Sequence, residues 1–101
     1  MSGNDVYLTI DLDIQKHMQE KMAGKRAAFV AIDIKNGGII AIVNSPEVDL
    51  NKMASKMSSK DWNEIINNPD KPMQNRVSSG LYPPGSTFKI VTALAVLEKL
   101  E

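Results

Sequence analysis

Between residues 12 and 23 the apolar positions Ile14, Met18 and Met22 fall at four-residue steps, the spacing of one helix face. Asp11 or Asp13 is placed to cap this helix and Gly24 to stop it, so it is predicted to run to about Ala23. Upstream, Val6 to Ile10 alternates weakly and reads as a short extended segment. Downstream, Ala27 to Ile34 and Ile39 to Asn44 flank Asn36-Gly37, a strong hairpin signal. Both runs are apolar on both faces except for Asp33, which predicts a sheet covered on each side. Asn44 to Ser58 reads as a loop with one helical turn carrying Met53 and Met57. Ser58 and Asp61 have capping-box spacing before a short helix bearing Trp62, Ile65 and Ile66, which Asn67-Asn68-Pro69 ends. From Ser86 onward no Gly or Pro interrupts the helix formers. Phe88, Ile90, Val91 and Ala93 to Leu97 leave almost no polar face there, so this helix is predicted to be buried all round. The fold class is α+β: a two-stranded antiparallel hairpin packed by helices.

The start of that last helix carries the candidate chemistry. Pro83-Pro84 ends what precedes it, and Gly85 gives the backbone freedom to turn into Ser86-Thr87-Phe88-Lys89. Residues three apart share a helix face, so Lys89 can reach the Ser86 hydroxyl. Ser86 also meets the free N–H groups of a first helical turn, where developing negative charge is favoured. A lysine enclosed by apolar neighbours loses hydration of its charged form, and a neutral amine beside a serine hydroxyl takes its proton as the serine attacks a carbonyl. The spacing alone carries no weight, because eight serines and ten lysines give about 0.8 Ser-x-x-Lys pairs by chance. Its placement after Pro-Pro-Gly is what raises it. A capping serine and a lysine reaching to solvent are the competing reading.

Several longer blocks carry a resemblance. Asn67-Asn68-Pro69-Asp70-Lys71-Pro72-Met73-Gln74-Asn75-Arg76, followed by Gly80-Leu81-Tyr82-Pro83-Pro84-Gly85-Ser86-Thr87-Phe88-Lys89, resembles class B penicillin-binding proteins, in particular the elongation-type penicillin-binding protein 2 group. Val6 to Asp11 with Gln15 resembles the opening of that family's transpeptidase domain. Ala31-Ile32-Asp33 through Gly38-Ile39-Ile40-Ala41 resembles its first hairpin, and Ser45-Pro46 with Asp49-Leu50-Asn51 its following loop. Leu50 and Met53 stand where the family more often has Pro and Phe. The resemblance implies the partial penicillin-binding transpeptidase (β-lactamase-like) fold and a D,D-transpeptidase that cross-links peptidoglycan stem peptides. Ser86 would be the nucleophile, Lys89 the general base of acylation, and the Ser86 N–H half of an oxyanion hole. β-Lactams would acylate the same serine. It implies a parent anchored in the bacterial inner membrane and facing the periplasm. The family's downstream Ser-x-Asn and Lys-Thr-Gly motifs do not occur in these 101 residues. The expectation is therefore one front segment over residues 1–101, inactive by itself, with an unpaired sheet edge that invites self-association. Asn75 and Arg76 are expected to fix the approach to the active-site helix through hydrogen bonds.

Composition trims the alternatives. Net charge is zero with acids and bases interspersed, which implies no nucleic-acid partner. Cysteine is absent, so disulfides and thiol chemistry are excluded. The longest apolar run is far short of a membrane span. Met1 before Ser2-Gly3 reads as an added start, and Leu100-Glu101 as either native helix or an appended end. His17 has no partner at metal spacing, so no metal and no cofactor are expected. Asp33 reads as a turn acid, Trp62 as a packing anchor and the six methionines as core filling. Gly80 and Gly85-Ser86-Thr87 have the glycine spacing of a phosphate loop. The lysine is misplaced, however, and two prolines remove the needed donors. A serine β-lactamase or β-lactam sensor, or a non-catalytic interaction module, are the remaining alternatives.

Overall fold

A computed structural model describes residues 3–100, so Met1, Ser2 and Glu101 lie outside it. Helix α1 spans Leu12–Met22 and opens where the sequence places it: one Asp11 carboxylate oxygen accepts the N–H groups of Asp13 and Ile14. Gly24 follows at φ +75°, a left-handed conformation suited to a residue without a Cβ.

Strands β1 (Ala27–Ile32) and β2 (Ile39–Ser45) pair antiparallel, with Ala27 opposite Ser45 and Ala31 opposite Ala41. Next, Ile32 faces Ile39, so Ile40 is the extra residue of a bulge. β1 ends at Ile32, two residues before the predicted boundary. Asp33 breaks the strand because its carboxylate accepts the Lys35 N–H while its backbone exchanges bonds with Gly37 and Gly38. Asn36 completes the turn by accepting the Gly38 N–H, and Gly37 takes φ +73°. Asp33 is thus the turn acid that the sequence predicts.

The expected covering of both sheet faces is not found. Ala41, Val43 and Ser45 alternate as buried residues on one face of β2, against α1. β1, by contrast, leaves Val30 and Ile32 about half exposed. Among the described residues the fully buried hydrophobics are Met22, Ala41 and Val43, a very small core. Ser45 joins them by donating to the carbonyls of Met22 and Lys25.

The outer edge of β2 is occupied. The Gln15 side-chain amide donates to the Ile42 carbonyl at 2.8 Å and accepts the Ile42 N–H at 2.9 Å, imitating a neighbouring peptide group. The Asp11 N–H and the Thr9 hydroxyl take the carbonyls of Ile40 and Ile39. The unpaired edge expected of the sheet is therefore not that of β2. Because Ile42 turns both its backbone groups away from β1, its opposite number Val30 turns its own away from β2. No described residue bonds to that outer side of β1.

Beyond the sheet the elements are short. Helix α2 (Leu50–Ala54) is capped by Asp49 and supplies the predicted helical turn, although Met57 falls beyond it. Helix α3 (Ser59–Ile66) carries the predicted Ser58 cap, with the Asp61 N–H donating to Ser58 Oγ and the Ser58 hydroxyl to the Asp61 carboxylate. Trp62 is 42% exposed, so the packing-anchor expectation is not met; no element packs over that face of α3. Helix α4 (Arg76–Ser79), absent from the sequence prediction, packs against both strands. Last come a 3₁₀ turn at Gly85–Phe88 and helix α5 (Lys89–Leu100).

Candidate active site

The chain reaches Ser86 through a series of local locks. Asn68 Oδ1 accepts the Asp70 N–H and forms a tight turn, which Lys71 leaves at φ +47°, a left-handed conformation rare for a residue with a Cβ. Arg76 holds this turn from beneath: its guanidinium donates to the carbonyls of Asp70 and Lys71, and the residue is only 5% exposed. Asn75 caps α4 by accepting the Ser78 N–H, and Asn44 on β2 accepts the Val77 N–H at 3.0 Å. α4 is thereby fastened at its N-terminal end to both the loop and the sheet. The expectation that Asn75 and Arg76 order this approach through hydrogen bonds is met in the geometry. Asn44 makes the connection across 33 residues of sequence, and no local signal in the sequence points to it.

After α4 the path narrows. A Cβ built on Gly80 would collide with the Arg76 carbonyl and with Cε2 and Oη of Tyr82. The tyrosine ring therefore rests on the bare Cα of Gly80. With Ala28, Phe29, Val30, Arg76 and Val77 it lines a cleft of about 260 Å³ beside β1. Gly80 and Tyr82 are the residues that sequence reading missed. A glycine two positions before an aromatic was the available signal, since a glycine invites close approach.

Pro83 and Pro84 follow, and Gly85 takes φ +58°, the turning role assigned to it from the sequence. The helix does not begin at Ser86 as a plain α-helix. Residues Gly85–Phe88 form a 3₁₀ turn, and the Lys89 N–H donates to the Ser86 carbonyl. Ser86 lies on the 3₁₀ turn and Lys89 opens α5, and among the described residues no hydrogen bond joins their side chains. Ser86 does not cap the helix. Pro84 occupies that position without a side-chain bond, while the Thr87 hydroxyl donates to the Pro84 carbonyl.

The predicted burial of this helix is absent. Ser86, Lys89 and every described residue of α5 are exposed, and none of the clefts of about 250, 260, 420 and 620 Å³ is lined by Ser86 or Lys89. The reason is geometric: α5 packs chiefly on its own 3₁₀ turn and makes no extensive contact with the sheet. The lysine therefore lacks the apolar enclosure on which its role as a neutral base was argued. The largest cleft gathers Glu47, Asp49, Asp61 and Glu64 with Lys52 and Lys56, a mixed-charge groove on the α2–α3 side. Among the described residues there is no group of three or more His, Cys, Asp or Glu able to hold a metal ion.

The segment that contains the hairpin, the α4 approach and the Ser86 turn is also what other proteins share. Residues 27–99 match the family model described as penicillin binding protein transpeptidase domain. The chain belongs to the penicillin-binding protein transpeptidase family. The Escherichia coli K12 peptidoglycan D,D-transpeptidase MrdA is 42% identical over 96 residues, covering 95% of this chain and 15% of the relative. PBP2 from Pseudomonas aeruginosa, solved in complex with WCK 5153, superposes with a TM-score of 0.82 at 41% identity, covering 94% of this chain and 21% of that one. Penicillin-binding protein A from Mycobacterium tuberculosis, solved as a penicillin G acyl-enzyme complex, gives 0.79 at 36% identity, over 90% and 23%. The chain thus spans about 15% of the length of the MrdA relative. The mixed helix-and-strand architecture is that of penicillin-binding transpeptidase domains, and the resemblance read from Asn67 to Lys89 holds at the level of the family.

Proposed function

We propose that this chain is the front segment of a peptidoglycan D,D-transpeptidase domain and brings to it the nucleophile Ser86 and the general base Lys89. The observation that carries the reading is the Ser86–Lys89 pair on a 3₁₀ turn inside the matched region, with the serine left free of any capping bond. In the complete domain Ser86 Oγ attacks the carbonyl carbon between two terminal D-alanines of a stem peptide, and Lys89 Nζ takes the hydroxyl proton. The C–N bond then breaks, the last D-alanine leaves with that proton, and the acyl group stays on Ser86 as an ester. The amine of a neighbouring stem attacks the ester, takes the acyl group and returns a proton to Ser86 Oγ. The Ser86 N–H, at the free start of a helical turn, stabilises the developing oxyanion. β-Lactams enter by the same acylation, a reaction that the acyl-enzyme complex of the Mycobacterium tuberculosis relative exemplifies. The parent acts on the periplasmic side of a bacterial inner membrane. Among the described residues no helix is long and apolar enough to cross a membrane. The chain alone is inactive in this reading, because no described residue encloses the Ser86 turn or supplies a second oxyanion donor.

The test is a penicillin mass shift. Residues 3–100 replace the matching segment of the Pseudomonas aeruginosa relative, and the hybrid is incubated with benzylpenicillin, weighed intact and mapped. One adduct on Ser86 is expected, abolished by Ser86→Ala and formed roughly 10²-fold more slowly in Lys89→Ala. A folded hybrid without an adduct, or an adduct that survives Ser86→Ala, would refute the assignment. The 101-residue chain by itself is expected to give no adduct.

A further inference from the structure

The path from α4 to Ser86 contains one anchoring contact that the chemistry above does not use. Between Ser79 and Lys89 the chain forms no secondary structure until the 3₁₀ turn, and Leu81 is 97% exposed. The helix that follows packs chiefly on that turn. The position of Ser86 relative to the sheet is therefore set by whatever holds residues 80–84. Two of those residues are prolines with fixed φ, so the direction of the chain at Tyr82 is transmitted to Gly85 with little slack. Tyr82 itself is 62% exposed and is held on one side. That side is the Cα of Gly80, where any Cβ would strike the ring. Across an open cleft from it lie Ala28, Phe29 and Val30 of β1 with Arg76 and Val77. The Gly80 N–H closes α4 by donating to the Arg76 carbonyl at 3.1 Å. The glycine thus joins the ring to a helix that is itself fastened to β2 through Asn44.

We propose that Gly80 and Tyr82 are positioning residues for Ser86: the Tyr82 ring, seated on the bare Cα of Gly80 and facing β1 across the cleft, fixes the direction from which the nucleophile turn leaves α4. The inference takes its functional meaning from the assignment of Ser86 as nucleophile, but its geometry stands independently. Tyr82 acts here as an aromatic surface, so its hydroxyl is dispensable and its ring is not. Gly80 acts by lacking a side chain.

The chain has no cysteine, so spin labels at Lys16→Cys on α1 and Ser86→Cys on the 3₁₀ turn, diluted with unlabelled chain, report the distance between the sheet side and the nucleophile turn. The parent sequence and Tyr82→Phe are expected to give a single distance peak, which Tyr82→Ala and Gly80→Ala lose. The Gly80 α-protons should be displaced from their random-coil shifts by the ring in the parent and in Tyr82→Phe, and should revert in Tyr82→Ala. Should Gly80→Ala fail to fold, Tyr82→Ala decides the matter. A single peak retained in folded Tyr82→Ala overturns the proposal, as does a Tyr82→Phe that behaves like Tyr82→Ala. In the penicillin-reactive hybrid, Tyr82→Ala is expected to slow acylation by roughly 10- to 100-fold at unchanged non-covalent affinity, with Tyr82→Phe restoring the rate. Equal acylation rates in parent and Tyr82→Ala hybrids overturn the positioning role. A parent hybrid that is never acylated overturns the assignment of Ser86, while the distance measurement still decides the role of Tyr82.

Discussion

Arg76 is the side chain whose loss should be felt furthest. It is buried, it serves two backbone carbonyls, and one of them belongs to Lys71 in its left-handed conformation. Truncation removes both bonds and leaves those carbonyls to find water in a partly closed space, at a cost of about 2 kcal/mol. Arg76→Ala is therefore expected to lower the urea midpoint of unfolding. Arg76→Lys should recover only part of the loss, because an ammonium cannot spread two donors in a fixed plane. An unchanged midpoint in Arg76→Ala would show that the loop is held by other means. The exposed Arg26–Asp70 pair at 3.6 Å nearby is of the kind that adds little. At this scale the sequence was a good guide wherever the partner is close along the chain. Asp11, Asp33, Ser58 and Asn75 each bond within three residues, and turn and cap chemistry names them in advance. Gln15 and Asn44 bond across 27 and 33 residues, and nothing local distinguishes them from any other surface amide.

Among the elements the contrast lies between β2 and α5. β2 is flanked by β1 on one side and by the Gln15 amide, Asp11 and Thr9 on the other, and its inward residues form the core. α5 has twelve residues and no packed face. An isolated helix of that length is marginal in water, since propagation barely offsets nucleation. Hydrogen exchange should divide the two sharply. The amides of β2 are expected to exchange slowly, and those of α5 at nearly the unprotected rate once neighbours are absent. In Gln15→Leu kept too dilute to associate, the Ile42 amide should lose its protection selectively. Slow exchange through α5 would mean that a partner, in solution a second copy, encloses it. The pattern of α5 gives its type and extent correctly, yet its all-apolar surface predicts burial that the chain does not provide. Periodicity reports the environment for which a helix is suited. It does not say which residues supply that environment. The same distinction explains Trp62 and the outward residues of β1.

The whole molecule has more surface than a compact chain should. Its accessible area is 8916 Å², against about 5,700 Å² for a folded monomer of this mass. Its radius of gyration is 18.5 Å, against about 13 Å for a domain of this length. The excess is larger than one partner's share of most obligate interfaces. Net charge is zero, so no long-range repulsion keeps copies apart. Sedimentation is expected to show concentration-dependent association, and a monomer at every concentration would contradict it. The family membership was legible from Asn67 to Lys89 because that block combines caps, a forced turn and a rigid proline pair, each tied to local backbone geometry. The degree of enclosure was not legible, because it depends on atoms remote in sequence.

The amide of Gln15 has one more consequence, for how far association can go. A sheet grows by offering an open rim on each side, and here one rim already carries a plug that mimics the next strand. Two copies meeting rim to rim through β1 would close on a twofold axis with a plug at both outer margins, which leaves no place for a third. Gln15 is thus a chain terminator in the polymer sense. The parent chain should stop at dimers, and Gln15→Leu should pass beyond them to thioflavin-positive filaments.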